Sequence, residues 1–272
     1  SYDDTWNMDI SKIEAKITVK TKAIMAVHIF GLSVDMDPLI KLANQYNLLI
    51  IEDAAEAIGL NYKGKPCGSF GDISTFSFYP NKLITSGEGG MIVTDDETLA
   101  ERCRSLRNLC FKPEKRFVHD ELGWNFRMTN LQAAVGLAQL EQLSESVIKK
   151  RWIGNKYLEN LEEVDVLIQL PLKKTDYTEN IYWVFAMVLN DMTSLNGADE
   201  MMAELSQYGI GSRPFFFPLH NQPVLGYSNG TYPISENIAK NGFYVPSGLA
   251  ISGDEIDRVS ESVISVLRQY AY

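Results

Sequence analysis

Asp53 and Lys82 are the two side chains whose surroundings first suggest chemistry. Asp53 ends the apolar run LLIIED (Leu48 to Asp53). In an open α/β sheet, ligands bind beyond the carboxyl ends of the strands, so an acid there faces the expected site. The competing reading makes it an N-cap for the AAEA segment that follows. Lys82 comes after the run ISTFSFY (Ile73 to Tyr79) and Pro80, and before the glycine-rich SGEGG (Ser86 to Gly90). A lone lysine is ordinarily a solvated surface charge. Held between an aromatic strand and a tight loop, it could lose that charge by desolvation, as an amine must before it attacks a carbonyl. Ser77, five positions earlier, could donate a hydroxyl to a phosphate, or could be a strand serine bonded to backbone. Gly87, Gly89 and Gly90 suit a turn with positive φ. SGEGG matches neither GxGxxG nor a Walker loop, so it does not mark a nucleotide-binding loop. His28, His119 and His220 are too scattered to suggest a metal triad.

These residues need a frame. Lys22 to Phe30, Leu48 to Asp53, Ile73 to Tyr79 and Gly90 to Asp96 read as strands, and Asp37 to Gln45 and Glu97 to Leu109 as helices. Apolar strands alternating with helices predict a largely parallel sheet covered on both faces. Thr129 to Leu143 (TNLQAAVGLAQLEQL) reads as a helix opened by Thr129 or Asn130, and a charged helical stretch then runs to about Glu163. VDVLIQLP closes that stretch. Tyr182 to Leu189 begins a smaller α/β unit with helices over Ala198 to Tyr208 and Asp254 to Tyr270. The expected division is 1–163 and 164–272.

The 272 residues, 45% apolar and 11% aromatic, describe a globular chain able to bury a sizeable core. A net charge of −10 argues against broad nucleic-acid binding, yet leaves room for a small phosphorylated ligand in a local pocket. Three cysteines without CxxC spacing fit neither a disulfide framework nor a zinc site, and make a reducing cytosol the expected compartment. No run reaches membrane-span length, and residues 1–20 lack a signal-peptide pattern.

EDAAEAIG (Glu52 to Gly59), YKGKPCGSFGDISTFSFYPNK (Tyr62 to Lys82), GEGGMIVTDD (Gly87 to Asp96), LGWNFRMTNLQAAVGLAQLEQL (Leu122 to Leu143) and RPFFFPLHNQP (Arg213 to Pro223) together resemble the DegT/DnrJ/EryC1/StrS sugar aminotransferases. The match runs in order over essentially the whole chain. EDAA or GEGG alone would be weak; the ordered set is specific.

The resemblance implies a fold-type I transferase dependent on pyridoxal 5′-phosphate (PLP), an α/β fold with a mostly parallel sheet, flanking helices and a smaller C-terminal α/β domain. Residues 1–163 would then be the PLP-binding part. By position, Lys82 matches the lysine that forms the Schiff base and shuttles protons. Asp53 matches the carboxylate that pairs with the pyridine nitrogen, where an ionised acid keeps that nitrogen protonated and the ring a better electron sink. Glu56 stands where many relatives carry glutamine or histidine near the ring hydroxyl, although it could equally be an exposed helix carboxylate. Ser77 matches a phosphate-binding serine. Asn125, in GWNFRM, matches an asparagine that reaches the phosphate of the neighbouring subunit, which implies a homodimer with shared sites. Arg127 reads as a structural or phosphate-adjacent cation, and Arg213 and His220 fall where family members approach the substrate.

The same resemblance sets Ser1 to Phe30 well inside a family chain, so roughly a hundred residues of the family pattern have no counterpart before it. The implied reaction is a ping-pong transamination, from an amino acid such as glutamate to a nucleotide-linked keto sugar, serving surface-glycan synthesis. The NK…SGEGGM and GWNFRMTNLQAA patterns are similar to members that aminate GDP-4-keto-6-deoxymannose, with UDP-linked 4-keto sugars as close rivals. Two other readings stay open. A dehydrating branch of the fold replaces the lysine with histidine, whereas Lys82 is intact. A non-catalytic regulator would bring a basic DNA-binding module, and no such stretch is visible.

Overall fold

The computed structural model describes residues 1–2, 4–112, 114–115, 117–226 and 230–272. It divides into two compact units, one formed by 10–28 and 33–144, the other by 1–9, 29–32 and 145–272.

The first unit carries a four-stranded sheet. Strand β1 (Ala23–Val27) leads through α1 (Met36–Tyr46) to β2 (Leu49–Asp53), which pairs parallel to β1 with Val27 opposite Asp53. α1 stops at Asn47, whose left-handed backbone (φ 51°) ends the helix and returns the chain to the sheet. A short hairpin of β3 (Asn61–Tyr62) and β4 (Lys65–Pro66) precedes β5 (Ile73–Ser77), which lies parallel to β2. Strand β6 (Gly90–Val93) returns antiparallel to β5, giving the order β1-β2-β5-β6. A direct return of this kind needs no crossover helix, and the chain between β5 and β6 is therefore free to form a loop.

α2 (Glu97–Arg107) and α3 (Asn130–Leu140) follow, the latter opened by a reciprocal capping box of Thr129 and Gln132. Neither helix contributes a buried residue. The sheet is mixed but mostly parallel with flanking helices, as expected, and among the described residues its cover is incomplete. Met25 and Leu49 are about half exposed and all four β6 residues are exposed, because α2 and α3 do not blanket them.

The second unit is built on α4 (Leu143–Leu161), β7 (Ile168–Gln169), β8 (Phe185–Leu189), α5 (Ala198–Gln207), β9 (Arg213–Pro214), α6 (Pro233–Asn241), β10 (Gly242–Val245) and α7 (Gly253–Gln269). Its sheet, ordered β7-β8-β10-β9, is antiparallel throughout. Every residue of β8 is buried. Phe185, Met187 and Leu189 pack with Ile153 and Tyr157 of α4 and Val263 of α7, while Ala186 and Val188 on the opposite face meet Trp6, Phe30 and Phe215. A strand packed on both faces has no polar side to show, which is why this one reads as an unbroken apolar run.

Lys150 of α4 is also buried. Its Nζ donates to the carbonyls of Trp183 (2.8 Å) and Ser247 (2.7 Å), and burial pushes its pKa down to about 7. No helix among the described residues is long and apolar enough to cross a membrane.

Candidate active site

The site grows from the carboxyl end of β2. Side chains alternate along a strand, so Glu52 turns with Ile50 into the buried face and Asp53 turns away. Glu52 is completely buried, and its desolvation is answered by four N–H groups. Oε2 accepts from the backbone of Phe70 and Gly71 (2.8 Å each), and Oε1 from the Gly68 backbone and from His28 Nε2 at 3.0 Å. His28 Nδ1 accepts from Val34 N–H (3.1 Å), so its proton sits on Nε2. Burial alone pushes the Glu52 carboxyl up, but the His28 bond and the backbone donors outweigh it and hold the carboxyl below its ordinary value. His28 also donates its backbone N–H to the Asp53 carbonyl (3.2 Å). The pair thus fixes the 68–71 turn and the end of β1 against the strand end that presents Asp53. Sequence reasoning passed over Glu52 and His28. The available signal was an acid embedded in an apolar run, which has to be paired.

Asp53 caps no helix, because turns follow β2. Its Oδ1 accepts from Ala55 N–H at 3.0 Å, a local turn that orients the carboxylate. Those turns bring Glu56 inward, buried rather than exposed on a helix, which corrects that alternative.

Lys82 is reached along the loop between β5 and β6. The loop is closed at its base by Phe78 N–H to Gly89 O (2.9 Å) and Ser86 N–H to Phe78 O (3.1 Å), and the turn is closed by Lys82 N–H to Tyr79 O (3.0 Å). Thr85 Oγ1 donates to Phe78 O, and Thr85 N–H reaches Gln139 of α3. Gly87 and Gly89 have the expected positive φ (82° and 149°), and a Cβ on Gly89 would come within 2.7 Å of Ser86 Oγ. Gly90 is not in that region. It is small because a Cβ would meet the Phe76 carbonyl at 2.8 Å.

So held, the Lys82 side chain is 11% exposed, and Nζ lies 3.5 Å from Glu56 Oε1. Burial lowers its pKa from the ordinary lysine value, opposed first by the Glu56 carboxylate and then by the charge of Asp53. Ser77 closes β5 and is partly buried. Its Oγ accepts from Tyr79 N–H at 3.3 Å, and the hydroxyl hydrogen has no acceptor among the described residues.

Asn125 is exposed. Its backbone bridges Asn108, and its Oδ1 accepts from Arg127 Nε at 2.8 Å. Arg213 and His220 belong to the other unit. Arg213 is exposed on the short strand β9, and His220 Nε2 lies 2.8 Å from Glu236 Oε1 with its ring against Tyr232.

An amine of lowered basicity, a carboxylate fixed at a strand end, a second buried carboxylate and an unused hydroxyl hydrogen match what a phosphorylated pyridine aldehyde requires. Fold and site together define an α/β transferase dependent on PLP. The chain belongs to the DegT/DnrJ/EryC1/StrS aminotransferase family, whose pattern it matches over residues 2–264.

Among its relatives are proteins named GDP-perosamine synthase. One from Escherichia coli O157:H7 is 41% identical, covering 97% of this chain and 70% of the relative. Another, from Caulobacter vibrioides, is 40% identical, covering 97% and 71%. Among solved structures, DesV of S. venezuelae in complex with a ketimine intermediate superposes with a TM-score of 0.87 at 31% identity, over 98% of this chain and 70% of that one.

Proposed function

We propose that this sugar aminotransferase transfers the amino group of glutamate to a nucleotide-linked 4-keto-6-deoxyhexose, GDP-4-keto-6-deoxymannose before its UDP-linked counterparts. The observation that carries the chemistry is the buried Lys82 amine, 3.5 Å from Glu56 and under the influence of Asp53. The choice of sugar is supported by the 41% and 40% identity to proteins named GDP-perosamine synthase.

PLP, when bound, supplies the carbonyl that takes up and passes on the amino group. Lys82 would hold it through Nζ, and the same amine would move a proton to and from the substrate carbon. Asp53 would pair with the ring nitrogen and keep it protonated, Glu56 would serve the ring hydroxyl, and Ser77 would donate its hydroxyl hydrogen to the phosphate. In this reading PLP is held by the unit formed by 10–28 and 33–144, narrower than the expected 1–163 because 145–163 pack into the core of the other unit, and Arg213 and His220 are the substrate-contacting residues.

The active species is a homodimer in which Asn125 completes the partner's phosphate site. Support comes from the exposure of Asn125 and from α3, where Leu131, Val135, Leu137 and Leu140 stand in solvent beside a loop that leads to Lys82. The protein works in the cytoplasm, where nucleotide sugars are made.

The test is incubation of the purified full chain with PLP, 15N-glutamate and a panel of GDP- and UDP-linked 4-keto sugars. Labelled 4-amino sugar is expected from the GDP-linked substrate. Failure to aminate any of the panel, or products formed only by loss of water, would reject the reading.

A further inference from the structure

A lysine that must attack a carbonyl works as a free amine, and burial alone would supply one. Here the same pocket also holds a buried carboxyl group. Glu56 Oε1 lies 3.5 Å from Lys82 Nζ, with only 7% of the Glu56 side chain and 11% of the Lys82 side chain exposed. At that separation, and shielded from water, the carboxylate favours the ammonium form far more than a surface partner could. The turn after β2 holds Glu56 in place, with Ala57 N–H on Ala54 O and Leu60 N–H on Ala57 O. Among the charged groups acting on Lys82 are Glu56, from this turn, and Asp53, from the end of β2, and Glu56 has the larger effect of the two. Lys82's own segment contributes the Tyr79 carbonyl, which is engaged by the Lys82 backbone.

We propose that Glu56 is the counter-ion of Lys82 before the cofactor attaches, and that this ion pair sets the pH above which Lys82 can capture PLP. The inference rests on Lys82 being the attachment point and gives Glu56 a task beyond its position beside the ring. A glutamine here would fill the same space and leave the amine to burial and the weaker influence of Asp53. Capture proceeds when the ammonium releases one proton to solvent. The free amine then forms a double bond to the aldehyde carbon, and its two remaining hydrogens leave with the aldehyde oxygen as water. Glu56 governs only the first of these events, so it acts as a positioning and charge-setting residue.

The experiment mixes cofactor-free full chain with PLP across a pH series, quenches early with borohydride, and maps the labelled peptide to give an initial attachment rate at each pH. In Glu56→Gln the midpoint of that profile is expected to move to lower pH by about 1 unit, the lower end for losing a close opposite charge. Attachment well below the midpoint then becomes about tenfold faster. Glu56→Asp, which keeps the charge, should restore most of the wild-type midpoint. A purely structural role would slow attachment at every pH and leave the midpoint still.

Glu56→Ser is run alongside. An unchanged or raised midpoint in whichever uncharged variant retains the wild-type circular dichroism overturns the inference. Labelling at a lysine other than Lys82 overturns the functional reading instead, and this inference with it.

Discussion

Strands β8 and β6 are both short apolar runs, and they meet opposite fates. All five residues of β8 are buried between two layers of side chains, whereas all four of β6 are exposed. The same contrast separates α7, which buries seven residues, from α3, which buries none. The unit built on β8 holds its fold through a closed apolar core. The site-bearing unit buries two carboxyl groups, Glu52 and Glu56, and leaves the apolar side chains of β6 and α3 in solvent. Fold stability should therefore respond chiefly to the unit built on β8, and cofactor chemistry to the site-bearing unit.

That contrast can be broken by paired substitutions. Phe185→Ala empties a fully buried position and is expected to cost about 3–5 kcal/mol in urea unfolding. Val19→Ala, at a position 97% exposed, should stay within about 0.5 kcal/mol. If the two cost the same, the core does not carry the stability as described.

Asp53→Asn sharpens the other side. It keeps the shape and the bond from Ala55 N–H but removes the charge at the strand end. Turnover should fall about a hundredfold, the range for losing a key electrostatic group, with little change in unfolding midpoint. Near-normal turnover would reduce Asp53 to a turn-forming residue.

What could be read from the sequence follows the same line. Local signals were sufficient for α1, for the Thr129 start of α3 and for α7, since a cap and a 3.6-residue apolar period are both local. Asp53 and Lys82 were visible because each follows an apolar strand whose end has to carry the chemistry. Strands β9 and β10 escaped notice, being two and four residues long and made by pairing with β8 and with each other. The exposure of β6 and α3 escaped for a related reason. Apolar composition says that a segment can be buried, and only packing says whether it is. Glu56 shows the limit most clearly, because the same residue in a helix would have been a solvated charge. Turns after Asp53 bring it to within 3.5 Å of a lysine 26 positions away.

The central claim is that Lys82 carries the cofactor, and it is tested most directly by where the cofactor becomes fixed. The full chain loaded with PLP is reduced with borohydride, digested and mapped by mass spectrometry. The account predicts one modified peptide, spanning Lys82, and loss of both the modification and the cofactor's Schiff-base absorption band in Lys82→Ala with the circular dichroism unchanged. A label on any other lysine, or a band that survives in Lys82→Ala, would contradict it.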